Sequence, residues 1–432
     1  MPLAFLAVIS LGTALLALPI SHAGPGSAPW ITALFTAVSA TCVTGLTVVD
    51  TPSYWSTFGQ VVILALFQFG GFGIMAGATL LGLLVSNRMR LGARLLAQAE
   101  TRSLDLGDVM AVLRLIIITT LLVEVLLTIV LTLRFHFAYD QPFGLALWNG
   151  FFHGVSAFNN AGFSTYSDSM TRFAGDALVL GPVMLAVLLG GLGFPVLLEL
   201  RREPWQWSRW SVHTKITLLG SAFLLVGGAL AIAAYEWTNP ATLGPMDTGE
   251  RVLNALFLSV NTRSSGFNTL DMRMLEPETL ALNYGLMFIG GGSASTAGGI
   301  RLTTFFLLGF VVWAEVRAQR DTIAFRRRIP VEVQRQALTI ALFGVGTVAI
   351  GTLALLSVTD HPLVLVVFEV ISASATVGLS TGIIPELPPS GQLILTVLMY
   401  TGRVGTVTVV TALALRGRNI PFRYPEERPI VG

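Results

Sequence analysis

Eight apolar runs punctuate the chain, at 3–21, 57–85, 108–135, 176–200, 213–235, 280–314, 335–358 and 391–415. Each approaches or exceeds the roughly 20 helical residues that cross a hydrocarbon core. Between the members of each consecutive pair lies a shorter apolar segment, at 29–40, 144–157, 250–261 and 361–374. These are too short to cross, so the pattern predicts half-helices that enter the membrane and turn back. A unit of helix, half-helix, loop and helix thus recurs four times, over 1–86, 108–201, 212–318 and 332–417, with a tail at 418–432. The predicted fold is an all-α membrane protein, with eight transmembrane helices and four re-entrant pore half-helices in pseudo-fourfold arrangement.

Each half-helix runs into a matched stretch. The four are Val43-Thr44-Gly45-Leu46, Asn160-Ala161-Gly162-Phe163, Ser264-Ser265-Gly266-Phe267 and Thr376-Val377-Gly378-Leu379. A Thr follows each closely (Thr47, Thr165, Thr269, Thr381), and the preceding segments carry Ser39, Ser156, Val260 and Ser372 near their ends. The glycines recur about every 110 residues, too long for a solenoid unit and suited to a fourfold duplication. A half-helix entering from outside aims its negative carboxyl end at the membrane centre, where it favours a cation. Glycine permits an extended or left-handed backbone that turns carbonyls inward. Rings of such carbonyls replace an ion's hydration shell in potassium-selective filters. Close helix packing is the plainer role for a single glycine. Four matched glycines at similar positions favour the filter.

Composition agrees with the membrane assignment: 53% of residues are hydrophobic and 12% charged, against about 25% charged in a soluble domain. The mean hydropathy is +0.73. A single cysteine, Cys42, excludes an intrachain disulfide or a cysteine metal cluster. Leu3 to Leu18 has no basic start and no small-residue cleavage pattern, so it reads as a first span rather than a signal peptide. The basic residues sit mainly in the links after each unit: Arg88, Arg90, Arg94 and Arg102; Arg201, Arg202, Arg209 and Lys215; Arg317, Arg320, Arg326 to Arg328 and Arg335; Arg416, Arg418, Arg423 and Arg428. Acids such as Asp50, Asp168, Asp271, Asp360 and Glu386 sit on the opposite side. The positive-inside rule then makes the Arg-rich links and both termini cytoplasmic. The acidic side would concentrate cations at an outer mouth.

Two further features lie at membrane depth. Gly290-Gly291-Gly292-Ser293-Ala294-Ser295-Thr296-Ala297-Gly298-Gly299 interrupts the sixth span, and glycine costs about 1 kcal/mol against alanine inside a helix. Irregular backbone at that depth must line a cavity or be buried in protein, so a loop beneath the pore is predicted, with a glycine packing face as the alternative. Arg403, inside the eighth span, is an intramembrane charge and hence a candidate gate that repels the permeating ion. The alternative is that it pairs with Glu124 or Glu369 to tie helices. Arg301 is a weaker case of the same kind, and Arg263, three residues before Gly266, is expected to face backward and satisfy carbonyls behind the filter. Gly190-Gly191-Leu192-Gly193-Phe194-Pro195 reads as a bend in the fourth span, and the sixth span is expected to be the only interrupted one. The five histidines are scattered without metal-ligand spacing.

With four pore units, four filter glycines, a glycine-rich stretch in the third unit and an arginine in the last helix, the chain resembles the superfamily of potassium transporters containing KtrB, TrkH and the plant HKT proteins. It looks closest to the KtrB branch, being short and lacking an extra amino-terminal helix pair. The resemblance implies one pore per chain, a homodimer, an intramembrane gating loop at 290–299 and a pore-blocking arginine at Arg403. It also implies a cytosolic nucleotide-binding regulatory ring of the KtrA/TrkA kind, regulated by ATP or ADP, and activation by sodium. Some plant relatives that carry sodium have Ser at the first filter glycine, and Gly45 favours potassium.

The expected cargo is potassium, held at the filter residues, with no covalently bound cofactor and with uptake across a bacterial plasma membrane. The bilayer is an expected partner and nucleic acid is not. One alternative is a sodium or non-selective monovalent cation transporter of the same architecture. Another is a secondary transporter with a midplane site, which would show paired broken helices in inverted halves. No acid pair or Ser with Lys or His at membrane depth suggests an enzyme.

Overall fold

Four helical units follow one another in the computed structural model, which describes residues 2–87 and 109–405. The first comprises α1 (Pro2–Leu16), α2 (Trp30–Thr41), the single turn α3 (Thr51–Tyr54) and α4 (Thr57–Asn87). The second comprises α5 (Val109–Ala138), α6 (Phe143–Asn159) and the pair α7 (Ala177–Leu192) and α8 (Phe194–Arg202). The third comprises α9 (Val212–Glu236), α10 (Thr248–Asn261), α11 (Pro277–Phe288) and α12 (Leu302–Val316). The fourth comprises α13 (Val331–Leu356), α14 (Leu363–Ser374) and α15 (Pro389–Tyr400), which runs on as a π-helical turn, Thr401–Gly405. A small hairpin pairs Ile323–Ala324 with Arg327–Arg328. By length and composition, segments of α4, α5, α9 and α13 are long and apolar enough to cross a membrane.

The short helices α2, α6, α10 and α14 start where the sequence permits. Pro29, Pro142 and Pro362 precede three of them, fixing φ near the value a helix needs while giving up an N–H that would go unpaired there. The fourth, α10, starts instead on a capping box in which the Asp247 N–H donates to Glu250 Oε2 at 3.2 Å. Two spans differ from the hydropathy reading. The first helix stops at Leu16 rather than continuing to 21, because Leu18 precedes Pro19 and is held extended (φ −68°, ψ 144°). The fourth span is broken: α7 and α8 meet at 96° across Gly193, whose φ is +91°. The sixth span is therefore not the only interrupted one. The arginines at 88, 90, 94, 102, 416, 418, 423 and 428, the rest of the eighth apolar run and the tail 418–432 lie outside the described residues.

Packing closes the four units into a ring. The helix that opens the final span of each unit packs on the short helix of the next: α4 on α6, α7 on α10, α11 on α14, and α15 back on α2. One apolar cluster fills each junction. Val62, Phe67 and Phe152 belong to the first junction, Leu180, Val183 and Phe257 to the second. Met287 and Phe368 belong to the third, Phe35 and Met399 to the fourth. In lipid such junctions are held by close van der Waals packing rather than by withdrawal from water, so the short helices are fixed by their neighbours rather than by their own propensity.

The turn between α8 and α9 gives a direct stability test. Ser211 caps α9 by accepting from the Thr214 N–H at 3.2 Å, and its hydroxyl donates to Glu199 Oε2 at 2.8 Å. Ser211→Ala is expected to cost about 1 kcal/mol, read as a lowered thermal midpoint in detergent with ion flux retained.

Candidate ion pathway

The four glycine stretches, far apart in sequence, meet around one axis. Gly45, Gly162, Gly266 and Gly378 all have positive φ, at +91°, +71°, +69° and +96°. A Cβ on Gly45 would fall on the Ala161 carbonyl oxygen, and one on Gly162 on that of Ser265. A Cβ on Gly266 would meet the Val377 oxygen at 2.8 Å, and one on Gly378 would fall on that of Thr44. Each glycine thus lies against the carbonyl of the residue before the next unit's glycine, and the fourth returns to the first. No side chain fits at these positions, which is why all four are glycine.

Local capping sets this geometry. In units 1, 2 and 4 the residue two before the glycine is left-handed: Val43 (φ 55°), Asn160 (φ 59°) and Thr376 (φ 49°). The next N–H reaches back to the helix, Thr44 to the Ser39 carbonyl, Ala161 to Ser156 and Val377 to Ser372, each at 2.8 Å, closing Schellman-type ends. Ser39 and Ser156 donate to the Leu46 and Phe163 carbonyls at 2.7 and 2.8 Å. Unit 3 departs from the pattern. Val260 stands where the serines are, and the Ser264 and Ser265 N–H groups share the Asn261 carbonyl at 3.1 Å.

In every unit a buried side-chain oxygen at this level has no hydrogen-bond partner among the described residues: Thr44 Oγ1, Asn160 Oδ1, Ser264 Oγ and Thr376 Oγ1. Orphaned buried oxygens are rare and need an explanation. Outside the ring, the four glycines together with Asp50, Ser164 and Ser380 line a polar vestibule of about 170 Å³. Beyond Ser380, Arg273 Nε donates to the Thr381 carbonyl and its Nη2 lies 2.9 Å from Glu386 Oε1, and the guanidinium holds that carboxyl below its usual range.

The loop 290–299 lies against the side of the ring opposite the vestibule. The Asn160 amide donates to Thr296 Oγ1 at 2.8 Å, and that hydroxyl reaches the Phe158 carbonyl at 3.3 Å. A Cβ on Gly298 would fall on the Ala375 carbonyl oxygen and on Thr376 Oγ1. The loop therefore touches the ring in units 2 and 4. Its other side is pinned to the break in the fourth span: Gly292 N–H to the Gly191 carbonyl at 2.8 Å, Thr296 N–H to Gly190 at 3.2 Å and Phe194 N–H to Ala294 at 3.3 Å. The two broken spans thus satisfy each other's backbone groups, the requirement for irregular chain at this depth. Arg301 Nη1 folds back onto the loop and donates to the Ala297 carbonyl at 2.5 Å.

Arg403 sits in the π turn after α15, 3% exposed, with no partner for any of its three guanidinium nitrogens among the described residues. Its electrostatic neighbours are Arg301 and Cys42. It bonds to neither Glu124 nor Glu369. Glu124 accepts from Gln68 Nε2 at 3.2 Å and Asn159 Nδ2 at 3.1 Å. Glu369 Oε1 accepts from Ser380 Oγ, the Thr381 N–H and Thr381 Oγ1 at 2.9, 2.7 and 2.8 Å. Arg263 points away from the ring and donates to the Ser221 carbonyl and hydroxyl at 3.2 and 3.3 Å. Sequence reasoning passed over His153 as one of several scattered histidines. The signal it missed is register: His153 and Glu369 each stand nine residues before their unit's glycine.

Residues 4–419 match the family TrkH, described as a cation transport protein. The Ktr system potassium uptake protein B of Bacillus subtilis (strain 168) is 37% identical over 99% of this chain and 95% of its own. The protein of the same name from Vibrio alginolyticus is 33% identical over 100% and 94%. Among solved structures, the crystal structure of the potassium transporter TrkH from Vibrio parahaemolyticus superposes with a TM-score of 0.72 at 17% identity, over 96% of this chain and 85% of that one.

Proposed function

The chain belongs to the TrkH family of cation transport proteins, and from that premise we propose that it takes up potassium through a single pore at the axis of the four units. It is a multi-pass membrane protein. The observation that carries the reading is the closed ring in which each unit's glycine abuts the next unit's carbonyl. Such a ring can replace the water around a dehydrated cation. The carboxyl ends of α2, α6, α10 and α14 add negative potential at the same place, and the orphaned oxygens of Thr44, Asn160, Ser264 and Thr376 are available to an ion or its water. The names of the two relatives support potassium as the cargo.

In this reading the vestibule faces outward, the Arg-rich links and both termini are cytoplasmic, and the membrane is a bacterial inner membrane. The loop 290–299 and Arg403 form the gate: the loop obstructs the inner side of the ring, and the guanidinium, without a partner among the described residues, repels a cation that has passed it. The chain works as a homodimer with a soluble regulatory subunit, for which the word "system" in the relatives' names is the support. Sodium acts as an activator rather than as the cargo.

The test is potassium uptake into proteoliposomes under an imposed inside-negative potential, with sodium as competitor. Voltage-driven uptake that a large excess of sodium hardly inhibits is the expected result. Equal passage of both ions would replace potassium uptake with non-selective transport. No flux of either ion, with a regulatory ring subunit added, would overturn the pore assignment.

A further inference from the structure

Two quadrants of the ring are anchored from behind by a titratable side chain at one shared offset. Nine residues before the ring glycine, unit 2 has His153 and unit 4 has Glu369, where units 1 and 3 have Thr36 and Phe257. The order Gly45, Gly162, Gly266, Gly378 around the axis sets units 2 and 4 opposite each other. Both side chains are fully buried, and both bond the serine two residues after the glycine. His153 Nδ1 lies 2.7 Å from the Asn149 carbonyl and Nε2 lies 2.9 Å from Ser164 Oγ. A carbonyl facing Nδ1 requires the proton there, so in the neutral imidazole Nε2 is the acceptor for the Ser164 hydroxyl, whose other acceptor, the Ser169 carbonyl, is farther away at 3.5 Å. Ser164 Oγ in turn accepts the Tyr166 N–H at 2.9 Å. On the other side Glu369 Oε1 takes Ser380 Oγ and both donors of Thr381. Ser164 and Ser380 line the outer vestibule beside the glycines.

We infer that His153 and Glu369 are positioning residues that hold the ring open along the diagonal between units 2 and 4 and thereby set the preference for potassium over sodium. Neither touches the ion path; each acts through its serine and the backbone on either side of it. The stretch after each glycine is neither helix nor strand, so no ladder of backbone bonds fixes its width. Three donors converging on the single oxygen Oε1 of Glu369 fix it from behind instead. Packing alone does not explain the carboxylate. Its Oε2 is buried with no partner among the described residues, a penalty that an apolar side chain avoids, and Phe257 fills the same position in unit 3 with full burial. Sodium is the smaller ion and needs carbonyls drawn closer, which a diagonal braced from behind resists.

The inference rests on reading the ring as an ion filter. Its test is the sodium concentration that halves potassium uptake in proteoliposomes, measured for the unaltered chain and for Glu369→Ala, Glu369→Gln, His153→Ala, His153→Gln, Ser164→Ala and Ser380→Ala. Both alanine replacements of the buried pair are expected to lower that concentration about tenfold, the size of one lost buried hydrogen-bonded contact. The glutamine variants keep an acceptor facing the serine and should recover most of the discrimination. Ser164→Ala and Ser380→Ala leave the core filled and should each lower it severalfold, so they carry the test by themselves if an alanine variant of the pair does not insert. Unchanged discrimination in the serine variants, or glutamine variants no better than alanine, would overturn the inference. An unaltered chain that passes both ions equally would fail the filter reading itself, whereas a selective chain whose variants stay selective fails this inference alone.

Discussion

Gly45→Ser is expected to lower the preference for potassium over sodium by about tenfold or more, the factor that corresponds to some 1.4 kcal/mol. Two effects act together. At φ +91° an L side chain is strained by about 1–2 kcal/mol. The added Cβ would also fall on the Ala161 carbonyl oxygen, with Gly162 Cα 3.2 Å away. That oxygen is part of the neighbouring unit's backbone, so relief has to come from widening the ring between units 1 and 2. A wider and less regular ring loses the carbonyl spacing that distinguishes the two ions. The check is the ratio of potassium to sodium flux in proteoliposomes, alongside the thermal midpoint. A ratio equal to that of the unaltered chain would remove the glycine ring from selectivity.

Removal of the inner obstruction is expected to raise flux. Deleting 293–297 takes away Thr296, with its contacts to Asn160 and Phe158, together with the Ala294 contact to the broken fourth span. Arg403→Ala removes a buried guanidinium without a partner among the described residues, a charge that is costly to keep at membrane depth and repels any cation beside it. Each change should increase potassium uptake by about tenfold or more, since each kcal/mol of barrier counts several-fold in rate. The two should combine less than additively if they guard the same passage. Flux at or below that of the unaltered chain, in protein that is folded and inserted, would take the loop and the arginine out of the gate.

Much of this architecture can be read from the chain alone, because a membrane makes local pattern decisive. With no water to satisfy backbone groups, an apolar run of span length has to be helix and a shorter one has to turn back. The four short helices accordingly lie within a few residues of the hydropathy reading, and the four glycines stand out because only glycine tolerates both positive φ and a neighbour's carbonyl at van der Waals distance. The glycine-rich decade at 290–299 announced itself in the same way. What hydropathy could not reveal is how these pieces meet. The bend at Gly193 reads as a local kink, yet its freed carbonyls at Gly190 and Gly191 accept from the loop a hundred residues later. The direction of Arg263 depends on Ser221, which lies on another helix.

Sequence by itself thus determined that the chain is helical, where the four short helices lie and which positions must be glycine, since those follow from the burial of backbone in lipid and from the space a Cβ needs. Only the tertiary structure decided that each glycine abuts the next unit's carbonyl, that the two broken spans pair, that Arg403 bonds to neither Glu124 nor Glu369, and that His153 and Glu369 grip the serines of opposite units. These are contacts between segments on the order of a hundred residues apart or hydrogen bonds whose direction depends on such contacts, and periodicity along a chain carries no record of them.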